Sequence, residues 1–134
     1  RKVYVMNNKN ENSTTFNESV LFTSNKKVSK TIVVGWKEIS RRYEFNDMSW
    51  LYDIKFELLN DNLTDKVICV GPDRYDIATR MKYAGFKKNQ IKIYDNLESA
   101  RDMIKNKSRG DIFAILNFDY VIPFNDIMED KQWK

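Results

Sequence analysis

The amino-acid sequence predicts an α/β fold, with a mostly parallel sheet flanked by helices, and three observations carry that expectation. First, Thr31–Val34 is an unbroken β-branched run, the mark of a strand buried on both faces. Second, the apolar strand Lys66–Val70 passes through Gly71-Pro72-Asp73 into a helical stretch, Arg74–Ala84. Its Ile77, Ala78, Met81 and Ala84 fall on one helical face, and Gly85 is placed to stop it. Third, the strand–helix alternation then repeats through Ile91–Tyr94, Leu97–Lys105 and Asp111–Leu116.

The remaining elements follow in chain order. Lys2–Met6 reads as an opening strand and Asn7–Ser13 as a polar loop. Thr14 or Thr15 is then placed to cap a helix from Phe16 to about Thr23. Trp36–Phe45 carries too many charges for a core element and reads as an edge strand or a loop. Met48–Tyr52 alternates, with Met48, Trp50 and Tyr52 opposite Ser49 and Leu51, and is expected to be a strand. Asp53 stands at its end, before a helix over Ile54–Asn60. Asn96 caps the helix that starts at Leu97. The tail, Phe118–Lys134, is ambiguous in pattern, with a final short helix around Asp126–Asp130 as one reading.

Composition narrows the function. A chain of 134 residues fits one domain, 1–134, and its start at Arg1 rather than Met is read as the start of an excised piece. No apolar run is long enough to span a membrane. The single cysteine, Cys69, lies inside a strand, which excludes a disulfide framework and a Cys-based zinc site and points to a cytoplasmic address. Basic and acidic residues number 23 and 19 and are interspersed, so a solvated basic surface is expected rather than a nucleic-acid face. The most informative count is zero histidines. Without imidazole the chain holds no Ser-His-Asp or Cys-His machinery, and acyl-transfer chemistry must borrow its histidine.

In parallel sheets function gathers at the carboxyl ends of the strands. Three segments are expected there: Gly35-Trp36-Lys37, Tyr52-Asp53 and Gly71-Pro72-Asp73-Arg74. No dinucleotide, P-loop or zinc-protease motif is present. Gly71-Pro72-Asp73 reads as an ordinary strand-to-helix turn rather than an anion cradle, because Pro72 removes a donor. Asp53 is poised either to cap the next helix or to orient a histidine, and spacing alone favours the cap. Trp50 and Tyr52 read as core residues or interface anchors. Arg80 and Lys82 read as a solvated helix face, and Cys69 as a small buried hydrophobe. Asp73 and Asp76 do not fit the order of acids in a response-regulator receiver domain.

The run Ser49-Trp50-Leu51-Tyr52-Asp53-Ile54-Lys55-Phe56-Glu57 resembles a segment of the C-terminal domain of MurT, the Mur-ligase-like subunit of lipid II isoglutaminyl synthase. The stretch from Val70 through Asp73-Arg74 and Arg80-Met81-Lys82-Tyr83-Ala84 to Gly85 is similar to the same domain's signature. Phe16-Asn17-Glu18-Ser19-Val20-Leu21 and Asp95-Asn96-Leu97-Glu98 match further family elements. Departures occur at Val34-Gly35-Trp36, at Lys55 where the family has an acid, and at Leu116-Asn117-Phe118-Asp119-Tyr120.

The resemblance implies a Rossmann-like fold similar to a Mur ligase C-terminal domain. It also implies a role in amidating the D-glutamate α-carboxyl of the lipid II stem peptide. A GatD-type glutamine amidotransferase subunit supplies the cysteine and histidine, and Asp53 stands at the position of the triad acid. Trp50, Tyr52 and Arg74 are the expected partner-binding residues. No cofactor is expected in this domain, since ATP, magnesium and zinc belong to a central domain outside the chain. Two other readings stay open: the C-terminal domain of another Mur-type ligase, and a non-catalytic interaction module whose Asp53 is only a cap.

Overall fold

The computed structural model describes residues 1–8, 13–36 and 48–129. Strands β1 (Val3–Asn8), β2 (Lys30–Gly35), β3 (Thr64–Val70), β4 (Ile91–Tyr94) and β5 (Asp111–Asn117) form a five-stranded sheet in the order β1-β5-β2-β3-β4. Every pairing is parallel. Helices α1 (Ser13–Asn25), α2 (Arg74–Tyr83), α3 (Leu97–Asn106) and α4 (Phe118–Glu129) cover the sheet. Central β2 is buried along its whole length, as the β-branched run predicts, and Val33 stands in register between Ala114 and Ile68.

Side-chain alternation along the strands divides the core between the two faces. Ile32, Val34, Val67 and Cys69 pack against Phe16 and Val20 of α1 and Ile77 and Met81 of α2. Val33, Ile68, Ala114 and Leu116 pack against Leu97 and Ile104 of α3 and Phe124 of α4. Complete burial of each aliphatic side chain contributes about 1.5–3 kcal/mol. The two layers therefore fix which strand edge each connecting segment must cross.

Local signals explain most boundaries. Gly85 ends α2 at φ +100°, a conformation costly for residues with a Cβ, and Asn60 Nδ2 donates to the Ala84 carbonyl at 3.1 Å. Asn96 accepts from the Ser99 amide at 2.9 Å and opens α3 as expected. Other expectations need correction. Helix α1 begins at Ser13, so Thr14 and Thr15 lie in its first turn rather than before it. Strand β1 runs on through Asn8, and the rest of the expected loop up to residue 12 lies outside the described residues. Trp36 is buried, and the rest of the expected edge strand or loop, 37–45, also lies outside them. The tail forms a longer helix than expected, α4, with Pro123 inside it. No helix among the described residues is long and apolar enough to cross a membrane.

The largest correction concerns Met48–Tyr52. It is not a strand: Ser49–Asp53 is a short 3₁₀ helix, and Phe56–Leu59 is a second one. Leu51 and Ile54, three residues apart, are both fully buried, the spacing a 3₁₀ turn places on one side. The aromatic alternation imitated a strand, while these two aliphatic residues set the actual period.

Candidate functional site

At the carboxyl edge, the tips of β2 and β3 meet through backbone. A Cβ on Gly71, which sits at φ +99°, would lie 2.2 Å from the Trp36 carbonyl oxygen. Only glycine permits that approach. The Trp36 indole Nε1 donates to Asp73 Oδ2 at 2.6 Å, which draws this carboxylate away from the α2 N-terminus it precedes. Arg74 donates to the Gly71 carbonyl at 3.0 Å and pairs with Asp95 at 3.0 Å. The segment Gly71–Arg74 is thus a tightly bonded strand-to-helix turn.

Asp53 ends the first 3₁₀ helix, on the same side of the sheet as α1 and α2. It is exposed, and among the described residues its carboxylate accepts no hydrogen bond. It caps nothing: the second 3₁₀ helix has Lys55 at its cap position, without a side-chain cap bond. The Lys55 amide that a cap would take is held instead by Asn17 Oδ1 from α1, at 2.7 Å. Through its Nδ2 the same Asn17 donates to the Asp53 carbonyl at 2.9 Å. One amide side chain therefore holds the main chain on both sides of Ile54, directly after Asp53.

From α2 comes the group that sequence reasoning misplaced. Arg80 is not on a solvated face; it is 2% exposed, although Lys82 is exposed as expected. Its Nε donates to the Leu51 carbonyl at 2.9 Å, and its Nη2 donates to the Ile54 carbonyl at 2.6 Å and to Glu57 Oε1 at 2.8 Å. Its guanidinium also lies 5.2 Å from the Tyr52 ring and 5.5 Å from the Phe56 ring. The Arg80 hydrogen bond holds the Glu57 carboxyl below its usual range. A helix-period reading assigns Arg80 to the polar side, but buried carbonyls of a neighbouring irregular segment need a donor there. Sequence reading gave no signal for this, since it took the segment as a strand followed by a helix.

The expected partner-binding residues lie in different settings. Tyr52 is 47% exposed and meets the more exposed Tyr83 edge-on, with ring centroids 5.6 Å apart. Trp50 turns inward, 5.5 Å from Phe16 and 5.2 Å from Trp36, and its Nε1 is buried with no hydrogen-bond partner among the described residues. Arg74 lies on α2 about 9 Å along the helix axis from Arg80, engaged with Gly71 and Asp95. Tyr52 and Asp53 thus share one exposed turn, whereas Trp50 supports it from beneath.

This arrangement presents a carboxylate on a rigid backbone but carries no base to act with it. The Cys69 thiol is fully buried and pushed by desolvation up to about 12, so it is a packing group, as its position in an apolar strand suggests. Among the described residues no three His, Cys, Asp or Glu side chains are grouped to hold a metal ion.

The MurT ligase C-terminal family matches residues 10–120, a span that contains α1, the 3₁₀ helices Ser49–Asp53 and Phe56–Leu59, and the whole of α2. The chain belongs to this family. A MurT ligase C-terminal domain accounts for the parallel sheet with helices on both faces, and it brings Asp53 and Arg80 within one matched segment. The chain is also similar to the MurT subunit of the glutamine-hydrolysing lipid II isoglutaminyl synthase of Streptococcus pneumoniae (strain ATCC BAA-255 / R6), with 23% identity over 86 residues. That match covers 64% of this chain and 19% of the relative, so the MurT C-terminal domain described here spans about a fifth of that subunit.

Proposed function

We infer that residues 1–134 act as the C-terminal domain of the ligase subunit of a lipid II isoglutaminyl synthase. In this reading the domain docks a GatD-type glutamine amidotransferase and places Asp53 beside its catalytic histidine. The partner then hydrolyses glutamine, and the ammonia serves amidation of D-glutamate in the lipid II stem peptide. The observation that carries the reading is the state of Asp53: exposed, engaged by no cap, in a segment whose backbone is held from two helices. A carboxylate that is to orient and charge an imidazole of another chain needs a free oxygen at the surface. In a chain with no histidine, that imidazole must come from a partner.

The exposed Tyr52 and Tyr83 beside Asp53 supply the kind of aromatic anchor found at interface centres, with Arg74 further along the same helix. Inward-facing Trp50 acts by shaping this surface. ATP, magnesium and zinc are assigned to a central domain outside the chain. The complex works in the cytoplasm, at the inner face of the membrane that carries lipid II.

Asp53→Asn in the complete two-subunit enzyme tests the reading. Asn keeps the size of the side chain but cannot stabilise an imidazolium. Loss of a triad acid costs about 10⁴ in a serine protease, and a cysteine nucleophile depends less on it, so about 10² is expected for glutamine hydrolysis. The ratio of glutamine-dependent to ammonia-dependent amidation falls by the same factor, with subunit affinity kept. A mutant with the wild-type ratio makes Asp53 a structural residue and ends this assignment.

A further inference from the structure

We propose that Arg80 and Asn17 are positioning residues for Asp53, forming a two-sided backbone clamp that sets where its carboxylate stands. This rests on the reading of Asp53 as a triad acid. The irregular segment that carries Asp53 lacks the hydrogen-bond ladder of a long helix or a strand, so its shape must be imposed by side chains. Arg80 imposes it from α2, donating to the carbonyls of Leu51 and Ile54, which flank Tyr52 and Asp53. Asn17 imposes it from α1, accepting from the Lys55 amide and donating to the Asp53 carbonyl. Between them the carbonyls of Leu51, Asp53 and Ile54 and the amide of Lys55 are tied to two different helices, while the carboxylate itself is left unengaged among the described residues.

The chemistry of the two side chains suits this task. A guanidinium is a planar fork whose separate N–H groups reach several acceptors at once, which a lysine ammonium does not reproduce. Here Nε serves one carbonyl, and Nη2 serves another carbonyl together with Glu57, whose half-exposed carboxylate balances the buried charge. Burying an arginine to 2% exposure is costly, and among the described residues the guanidinium's hydrogen bonds all go to the segment that holds Asp53. Asn17 offers one donor and one acceptor in the spacing of a peptide group, so it completes the main chain as a neighbouring strand does.

The complete two-subunit enzyme provides the test, with Arg80→Lys, Asn17→Ala and Glu57→Gln compared with Asp53→Asn. A displacement of about 1 Å costs up to about 10² in rate, so Arg80→Lys and Asn17→Ala are expected to slow glutamine hydrolysis roughly 10-fold to 10²-fold. Glu57→Gln, which keeps both carbonyl bonds, is expected to lower it by less than about threefold. Withdrawing the carboxylate also destabilises the partner's imidazolium, so the alkaline limb of the pH–rate profile moves to lower pH. A residue of merely structural importance lowers the amplitude without moving that limb. Combining Arg80→Lys or Asn17→Ala with Asp53→Asn is expected to slow the enzyme no further than Asp53→Asn alone.

Wild-type rates and pH limbs in both single variants overturn the clamp while leaving the triad role of Asp53 intact, as does full additivity with Asp53→Asn. Wild-type behaviour of Asp53→Asn itself is a separate outcome, which removes the triad reading and the clamp's purpose together. Should Arg80→Lys fail to fold, Asn17→Ala at its half-buried site decides by the same comparison.

Discussion

Replacing Arg80 by Met keeps most of the aliphatic stem but deletes every hydrogen bond that ties α2 to the Asp53 segment. The carbonyls of Leu51 and Ile54 lose their guanidinium donors, yet each keeps one other bond, from the amides of Ile54 and Phe56 respectively. The low end of the cost for a compromised buried acceptor therefore applies, about 1 kcal/mol for each. The pair with Glu57, whose side chain is 49% exposed, is worth about 0.5 kcal/mol after solvent screening. Loss of the cation from above the Tyr52 and Phe56 rings adds about 1 kcal/mol. Against this, Met removes Nη1, which is buried with no hydrogen-bond partner among the described residues, a relief of about 1 kcal/mol. The net expectation is a destabilisation of about 2–3 kcal/mol. Unfolding entropy scales with length, so for a domain of this size the midpoint falls about 3–4 °C per kcal/mol, or about 10 °C in all. Calorimetry and urea titration of the purified chain measure it. A change below about 0.5 kcal/mol, or a stabilisation, refutes the idea that these carbonyls depend on Arg80.

Two further predictions concern the same region and its neighbour. The native Glu57 carboxyl binds its proton less tightly than in the unfolded chain, chiefly through its hydrogen bond from Arg80. Its contribution to stability is present above the ordinary glutamate value of 4.5 and is lost as pH falls through the lower native value. Denaturant titrations from pH 7 down to pH 3 should show the wild type converging on Glu57→Gln at the acid end; curves that stay parallel contradict the sign. Gly71→Ala places a methyl group 2.2 Å from the Trp36 carbonyl at φ +99°, so the tips of β2 and β3 must separate. A loss of at least about 2–3 kcal/mol is expected, with the Trp36 fluorescence environment altered, and an unchanged unfolding midpoint counts against the close approach.

The sheet was legible in the sequence because its strands are buried from both sides. Thr31–Val34, Lys66–Val70, Ile91–Tyr94 and Asp111–Leu116 are apolar runs bounded by glycine or polar residues, and each coincides with a strand to within two residues at either end. The same holds for α2 and α3, whose limits are set by Gly85 and Asn96, residues that act through their own backbone or side chain. Short-range chemistry of that kind is written in the order of residues. The tail was harder, since Pro123 removes an amide inside what becomes α4, and it is the burial of Tyr120, Phe124 and Ile127 against the second face of the sheet that holds this helix.

The candidate site divides along the same line. Sequence alone determined that the chain has no histidine, that Cys69 lies within a strand, and that Asp53 follows an aromatic-rich segment, which it read as a strand. Whether Asp53 caps a helix was open until the tertiary structure gave its neighbouring amide to Asn17, some 36 residues earlier in the chain. Arg80 shows the reason most directly. Its place on α2 follows from the helical period, but its burial depends on carbonyls supplied by Leu51 and Ile54, across a segment with no period of its own. Hydrogen-bond demand from an irregular backbone is not carried by any local pattern, because the donor that meets it arrives only when α2 packs against the turn.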